Sequence, residues 1–243
     1  MIPKIFHQTW RNLNIPKRWK NANMKCRRKY SDYEYMFWTD NTMNNFVKDE
    51  YPEFYNTYVS YKYHIQRCDA FRYLVLYKYG GIYLDMDLLC KKTLNSFLKY
   101  DLVLAKSSNN LNYFTNMFFM VSPKNPFIKY CIDNLTNYMN NYYYFGKHLH
   151  VMNSTGPSFL TKMSNEYQLN NINHYILSNK EFAGDCNICT NGKCDGGIYF
   201  KHEIGKTWNT LDSTFYNFCY CNYKMIIFTS IIIAIIFIKY GKS

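Results

Sequence analysis

A glycine pair between a helical run and an extended one constrains most of what this chain can become. Residues Tyr63 to Leu89 read YHIQRCDAFRYLVLYKYGGIYLDMDLL. The first part places Ala70, Leu74 and Tyr77 on one helical face, with Asp69 and Arg72 one turn apart on another. Gly80-Gly81 then stops the helix and admits a strand from Ile82, at whose end stand Asp85 and Asp87. In an extended segment residues i and i+2 point the same way, so both carboxylates are expected to face one site. Two carboxylates aimed together repel unless a cation lies between them, and hard oxygen ligands suit Mn²⁺ or Mg²⁺. Such a cation keeps positions open for the phosphate oxygens of a nucleotide and acts as a Lewis acid on a departing diphosphate. An isolated Asp-x-Asp occurs by chance in many chains as a solvated turn, so the surrounding residues must decide.

Those surroundings alternate short β-like runs with helical ones, which predicts an α/β layer architecture. Strands are expected at Lys4 to Thr9, Tyr33 to Trp38, Ile82 to Asp85, Leu102 to Ala105, Met117 to Val121, Tyr175 to Leu177 and Ile198 to His202. Helices are expected at Met43 to Glu50, Tyr61 to Tyr79, Phe127 to Met139 and Ser158 to Glu166. The 243 residues suffice for one α/β domain or two small ones, and no repeat or Gly/Pro/Ser linker divides them before about Asn217. A hydrophobic content of 48% and a mean hydropathy of −0.40 exclude wholesale disorder, a collagen-like fibre and a multispan membrane protein. Aromatic residues reach 20%, but they come with abundant Asn, Lys and Ile and only 6 Pro, the bias of an AT-rich genome such as that of a large DNA virus. The aromatic excess is therefore discounted as a stacking surface for nucleic acid.

The run Asp69-Ala-Phe-Arg72-Tyr73, then six residues, then Gly80-Gly81-Ile-Tyr83-Leu-Asp85-Met-Asp87, closely resembles the signature of glycosyltransferase family 32. These are DXD-containing sugar transferases that include yeast Golgi and sphingolipid mannosyltransferases. The opening Ile2-Pro3-Lys4-Ile5-Phe6-His7-Gln8-Thr9-Trp10 is similar to the family's IPKxIHQxW start, and Tyr35-Met-Phe-Trp38-Thr-Asp40 looks like its second strand. Asn116-Met117 before Ser122-Pro123-Lys-Asn-Pro126 resembles its Asn and Pro-x-x-Pro turn, Thr155-Gly156-Pro157 matches its TGP, and His202 with Trp208 resembles its closing His and Trp. Met86 stands where a small or β-branched residue is usual, and Thr207 where Ser is common.

This resemblance implies a GT-A type fold over residues 1–216, a Rossmann-like mixed sheet flanked by helices. It also implies a retaining transfer of a hexose from a nucleotide-diphospho sugar, GDP-mannose or a UDP-hexose, to a hydroxyl of a glycan or glycolipid. Carried over residue by residue, it gives Asp87 to the metal and Asp85 to metal or ribose, with Mn²⁺ or Mg²⁺ as cofactor. Asp69 and Arg72 would hold the donor's ribose and sugar, with Tyr83 and Asn116 beside them. His202 would be a further metal or diphosphate ligand, and Trp10 would lie near the base. Core packing is the alternative for Trp10 and Trp208, and an ordinary surface or core histidine for His202. A non-catalytic, membrane-attached glycan or nucleotide-sugar-binding protein is the competing function, and a broken Asp pair would mark it; here both aspartates are present.

Lys and Arg number 29 against 17 Asp and Glu, a formal net charge of +12, and the excess is densest from Arg11 to Lys29. Polyanions are plausible partners for such a surface, whether nucleotide diphosphate, anionic membrane or nucleic acid, but no nucleic-acid-binding motif accompanies it and none is expected to bind. Cys26, Cys68, Cys90 and Cys131, scattered singly, read as reduced core residues, whereas Cys186, Cys189 and Cys194, followed by Cys219 and Cys221, have the spacing of a zinc knuckle or a local disulfide.

The first residues carry no apolar core of a secretory signal. Met225 to Ile238, uninterrupted by charge and flanked by Tyr223, Lys224, Lys239 and Tyr240, reads as a tail anchor within 223–240, although as a helix it spans ~21 Å against ~30 Å of hydrocarbon. That arrangement, with largely unpaired cysteines, predicts a single-pass membrane protein whose catalytic domain faces the cytosol. The sequons Asn134-Leu-Thr136 and Asn153-Ser-Thr155 point to the opposite topology.

Overall fold

The computed structural model describes residues 1–107, 113–184, 189, 196–203 and 210–240. Strand β1 (Ile5–Thr9), helix α1 (Lys17–Lys29) and strand β2 (Glu34–Trp38) lead into helices α2 (Asp40–Glu50), α3 (Pro52–Ser60) and α4 (His64–Tyr79). Strands β3 (Gly81–Leu84), β4 (Leu88–Cys90), β5 (Leu102–Ala105) and β6 (Phe118–Val121) follow, then helices α5 (Pro126–Tyr138), α6 (Gly146–Ser154) and α7 (Pro157–Tyr167). The chain continues through β7 (His174–Leu177), α8 (Asn179–Phe182), β8 (Phe200–His202), α9 (Leu211–Cys221) and α10 (Tyr223–Tyr240).

A six-stranded mixed sheet in the order β2-β1-β3-β6-β5-β7 forms the centre. Strand β1 runs parallel to β2 and β3, β6 is antiparallel to β3 and β5, and β5 is parallel to β7. Successive side chains of its inner strands enter opposite cores: Tyr83, Leu104 and Phe119 pack with α2 to α5 and α7, while Ile82, Val103 and Phe118 pack on the other side with Cys26 and Tyr30. Burial on both faces is why β5 and β6 read as unbroken apolar runs rather than alternating ones. A separate antiparallel pair joins β4 to β8, with Leu88 opposite His202.

Where the helix α4 hands over to β3, the backbone is left-handed at Gly80 (φ +66°) and Gly81 (φ +99°). A Cβ on Gly81 would stand 2.6 Å from the Ile5 carbonyl oxygen, so only glycine lets β3 lie this close to β1. The turn is also pinned from the side. Buried His7 donates from Nε2 to the Gly80 carbonyl (2.9 Å) and accepts at Nδ1 from the Trp38 indole (3.2 Å), which requires the neutral ring. Burial drives its pKa down to about 4, and the bond to Gly80 only partly offsets that.

The expected strands agree with the observed ones to within one or two residues, as do the four expected helices to within three or so. The structure adds β4, which is three residues long and paired with a strand far along the chain, and helices α1, α3, α6, α8 and α9. Helix α1 puts Trp19, Ala22, Asn23 and Cys26 inward and its basic side chains outward.

Two expectations about cysteine are corrected. Cys26 and Cys90 are not reduced core residues but form a disulfide that ties α1 to β4, because the helix and strand pack together with Cα atoms 5.0 Å apart. A second disulfide joins Cys189 to Cys221, so the Cys189 sulfur is not available to a zinc knuckle. Cys186 and Cys194 lie outside the described residues, as do Thr207 and Trp208. Cys68 and Cys131 are free. The case for a reducing compartment, built on unpaired cysteines, loses its premise.

The C-terminal segment is helical as α10, which follows α9 directly; α9 itself crosses residue 216, where the catalytic domain was expected to end. Eighteen residues rise ~27 Å as a helix. Among the described residues, no helix is long and apolar enough to cross a membrane.

Two outcomes follow from these contacts. The unfolded chain carries an ordinary imidazole near 6.5 and so takes up its proton before the folded one does. His7 therefore contributes its full stability above about pH 6.5 and loses it as pH falls toward 4, up to about 3 kcal/mol in all. In urea unfolding, wild type should lose about 2 kcal/mol more than His7→Gln between pH 7 and pH 5; equal losses would refute the assignment. The Cys26–Cys90 bridge closes a loop of 64 residues, so Cys26→Ser should cost about 4 kcal/mol in non-reducing denaturation, and dithiothreitol should remove most of the difference.

Candidate active site

At the C-terminal edge of β1 and β3 the fold collects a buried chain of charges. Asp69 and Arg72 come from the middle of α4, where both are almost fully buried rather than on a solvated face. Arg72 donates from Nη1 to Asp69 and from Nη2 to Asp85 Oδ1 (2.9 Å), bridging the helix to the residue that follows β3. Tyr83 donates its hydroxyl to the same Asp85 oxygen (2.8 Å), lies 2.9 Å from the Thr9 hydroxyl, and has the Arg72 guanidinium 5.0 Å over its ring. Asp69 accepts further bonds from Asn116 (3.0 Å) and from the Thr155 hydroxyl (3.1 Å).

Electrostatics follow from this packing. Burial pushes the Asp69 carboxyl up, and Arg72, Thr155 and Asn116 pull it back. Burial also works against the charge on Arg72, but Asp85 and Asp69 outweigh it and hold the guanidinium firmly cationic. Asp85 is raised to about 6, first by burial and, after the opposing effect of Arg72, by the negative charge of Asp87.

The two aspartates do not share an extended strand, which corrects the expectation from strand alternation. Strand β3 ends at Leu84, and a turn closed by Leu88 N donating to Asp85 O (3.2 Å) carries the chain onward. Asp85 keeps the same face as Tyr83, whereas Asp87 approaches His202 of β8 (Oδ2 to Nε2, 3.4 Å), and its carbonyl accepts from Glu203 N (2.7 Å). That bond to Asp87 raises the His202 pKa despite the cost of burial. Side chains of Asp85, Asp87 and His202 are 27%, 20% and 22% exposed, so this corner is where a ligand can reach the charges.

Among the described residues, no three His, Cys, Asp or Glu side chains stand together as a complete metal cage. Asp87 Oδ1, however, is buried without a hydrogen-bond partner among those residues, while Oδ2 is engaged by His202. An orphaned carboxylate oxygen beside an imidazole fits a hard or borderline divalent cation that takes one or two protein carboxylates and completes its shell from substrate phosphates.

The structure thus brings Asp69, Arg72, Tyr83, Asp85 and Asn116 into one network and Asp87 and His202 into an adjoining pair. Trp10 stands apart from these bonds: it follows β1, packs edge-on against Trp19 at 4.9 Å, and donates its amide to the Trp38 carbonyl. Thr9 and Thr155 were not singled out from sequence as site residues. The Thr155-Gly-Pro match was the available signal for the second; a lone threonine at a strand end offered none for the first.

Residues 16–104 match the family model described as glycosyltransferase sugar-binding region containing DXD motif. Inositol phosphoceramide mannosyltransferase 1 of Schizosaccharomyces pombe is 33% identical over 236 residues, 96% of this chain and 70% of the relative. The chain belongs to the DXD-containing glycosyltransferase family. This glycosyltransferase is also 35% identical over 217 residues to mannosyl phosphorylinositol ceramide synthase CSH1 of Saccharomyces cerevisiae, of which it spans 55%. A glycosyltransferase of Acanthamoeba polyphaga mimivirus is 29% identical over 84% of its own length, in keeping with the AT-rich, viral cast of the composition. In fold, the PaToxG glycosyltransferase superposes with a TM-score of 0.51 at 19% identity over 69% of each chain.

Removing the bridging guanidinium leaves the buried Asp69 and half-buried Asp85 carboxylates without their shared counter-charge. Arg72→Met should destabilise the glycosyltransferase by about 3–5 kcal/mol in chemical unfolding, and Arg72→Lys, which keeps charge but not the two-pronged reach, by less. A loss below 1 kcal/mol for Arg72→Met would show the bridge to be an ordinary surface pair.

Proposed function

We propose that this glycosyltransferase is a metal-dependent, retaining hexosyltransferase of GT-A type that moves mannose, or glucose or galactose, from a GDP- or UDP-linked donor to a hydroxyl of a glycan or glycolipid. The observation that carries it is the pairing of a buried Asp69–Arg72–Asp85 chain with the half-open Asp87–His202 corner. Mannose and a sphingolipid-type acceptor are favoured because that is what the names of the fungal relatives specify.

Each side chain has a distinct task. Asp87 and His202 would hold a Mn²⁺ or Mg²⁺, with Asp85 at its edge, and that ion would supply Lewis-acid neutralisation of the diphosphate leaving group. Asp69, fixed by Arg72, Asn116 and Thr155, is assigned with Arg72 to the donor's ribose and sugar, its buried carboxylate holding Arg72 and Asn116 in position. Arg72 is held in place by two carboxylates, and its Nε, buried and without a partner among the described residues, remains as a donor. Asp85 Oδ1 already accepts from Arg72 and Tyr83, which leaves it poorly suited to act as general base. That accords with retention, in which the departing phosphate takes the acceptor's proton. Trp10, the residue that follows β1, is assigned to the base, and residues 223–240 to membrane attachment. The two disulfides among the described residues favour an oxidising compartment for the catalytic domain in place of the cytosolic side.

Hydrolysis of GDP-mannose, UDP-glucose and UDP-galactose with added Mn²⁺ tests the reading. One donor should turn over, chelation should stop it, and Asp87→Asn should lower turnover at least a hundredfold, or about 3 kcal/mol, without unfolding the protein. Wild-type turnover by Asp87→Asn would sink the mechanism.

A further inference from the structure

Helix α9 is amphipathic the wrong way round for a core helix. Leu211, Phe215 and Phe218 fall at i, i+4 and i+7, a single stripe, yet they are 90%, 61% and 56% exposed. The polar side faces inward: Asp212 accepts from the His148 amide (2.7 Å), Tyr216 stacks on His148 and donates to the Phe145 carbonyl (2.8 Å), and Ser213 is the buried residue of the helix. The segment that α9 packs against is equally apolar outside, with Tyr144 94% and Phe145 59% exposed. Loop and helix, joined through the Tyr216–Phe145 bond, thus both carry exposed aromatic side chains and together make up an aromatic shelf.

From these observations we infer that α9 and the loop before α6 form a platform that docks in the interfacial layer of a lipid bilayer. This deepens the membrane reading proposed for residues 223–240, on which its choice of partner rests. Three features select a bilayer over another macromolecule. The stripe runs directly into α10, whose Met225, Phe228 and Ile231 are also exposed, so two adjoining helices present apolar surface. The shelf is rich in tyrosine, whose ring buries while its hydroxyl stays at headgroup level. Cations border it: Lys62 Nζ lies 4.2 Å over the Tyr143 ring and Lys147 Nζ 5.6 Å over Tyr63, while Asp212, the acid of α9, is turned inward. Lysines beside aromatic rings complement anionic headgroups.

The platform is wired to the site described above. Helix α6 ends at Ser154, which accepts from Gln66 of α4, and the next residue, Thr155, holds Asp69. Docking would therefore set the height and tilt of the donor site over the membrane, where a lipid-borne hydroxyl is presented.

Tryptophan placed at Phe218, at Tyr144 and, separately, at Ile231 of the full-length protein tests this against phosphatidylcholine/phosphatidylinositol vesicles brominated at shallow acyl positions. The Phe218→Trp and Tyr144→Trp proteins should shift to the blue and lose emission beyond the unsubstituted parent. Phe215→Ser/Phe218→Ser should bind vesicles about tenfold or more weakly while hydrolysing nucleotide sugar like wild type. If Ile231→Trp is quenched but Phe218→Trp and Tyr144→Trp are not, the tail reading stands and the platform is overturned; if the latter two are quenched without Ile231→Trp, the platform stands alone. Vesicle-insensitive emission at all three sites overturns both. Self-association abolished by Phe218→Ser, with no lipid response, would assign the face to a second copy and equally overturn it.

Discussion

One guanidinium between a buried and a half-buried carboxylate is the interaction on which the site depends. Arg72 cannot lose its proton there, and Asp69 and Asp85 cannot both stay charged without it. The bridge also crosses a structural boundary, because Asp69 belongs to α4 and Asp85 to the segment leaving β3. Two carboxylates face one guanidinium, and Asp87, turned to His202, adds its negative charge beside Asp85 at the corner that solvent can reach. A divalent cation is the counterion chemistry such a surplus calls for.

The scaffold around this bridge is stiff by construction. Gly80-Gly81 lets β3 lie against β1, and His7 clamps the turn to Trp38 on β2. On the other flank Gln66 donates to Ser154 and contacts His150, whose Nδ1 donates to the Asn141 carbonyl (2.7 Å), so a buried polar network fixes α6 to α4. Satisfied networks of this kind define one arrangement of side chains. The bonds from Thr155 and Asn116 then hold the Asp69 carboxylate in a single orientation.

Sequence reading found the parts whose signal is local. Strands β5 and β6 are apolar runs between turn residues, and α4 with its Gly-Gly stop carries both helical spacing and a family motif. It overlooked α1, because KRWKNANMKCRRK displays its charges while only four residues face inward. Strand β4 was missed as well; three residues have no periodicity, and β4 exists by pairing with β8. The same non-locality hid the Cys26–Cys90 bond and divided the Asp pair, since strand alternation describes Tyr83 and Asp85 but stops at the turn before Asp87. Of the site itself, Asp69, Arg72, Tyr83, Asp85 and Asn116 were legible together from motif resemblance, whereas Thr9 took its place from a tertiary contact alone.

The pairing of β4 with β8 has a consequence for biosynthesis. His202 stands 115 residues beyond Asp87, so a ribosome that has just released the Asp-x-Asp segment must add nearly half the chain before the corner can close. At ordinary elongation rates that interval is on the order of ten seconds. Throughout it the nascent chain can assemble the charge bridge of α4 and β3 but exposes the edge of β4, a short strand with no partner yet made. The enzyme therefore emerges with its Asp69–Arg72–Asp85 bridge formed early and its Asp87 corner formed last, and a chaperone that shields β4 would act at that stage of synthesis.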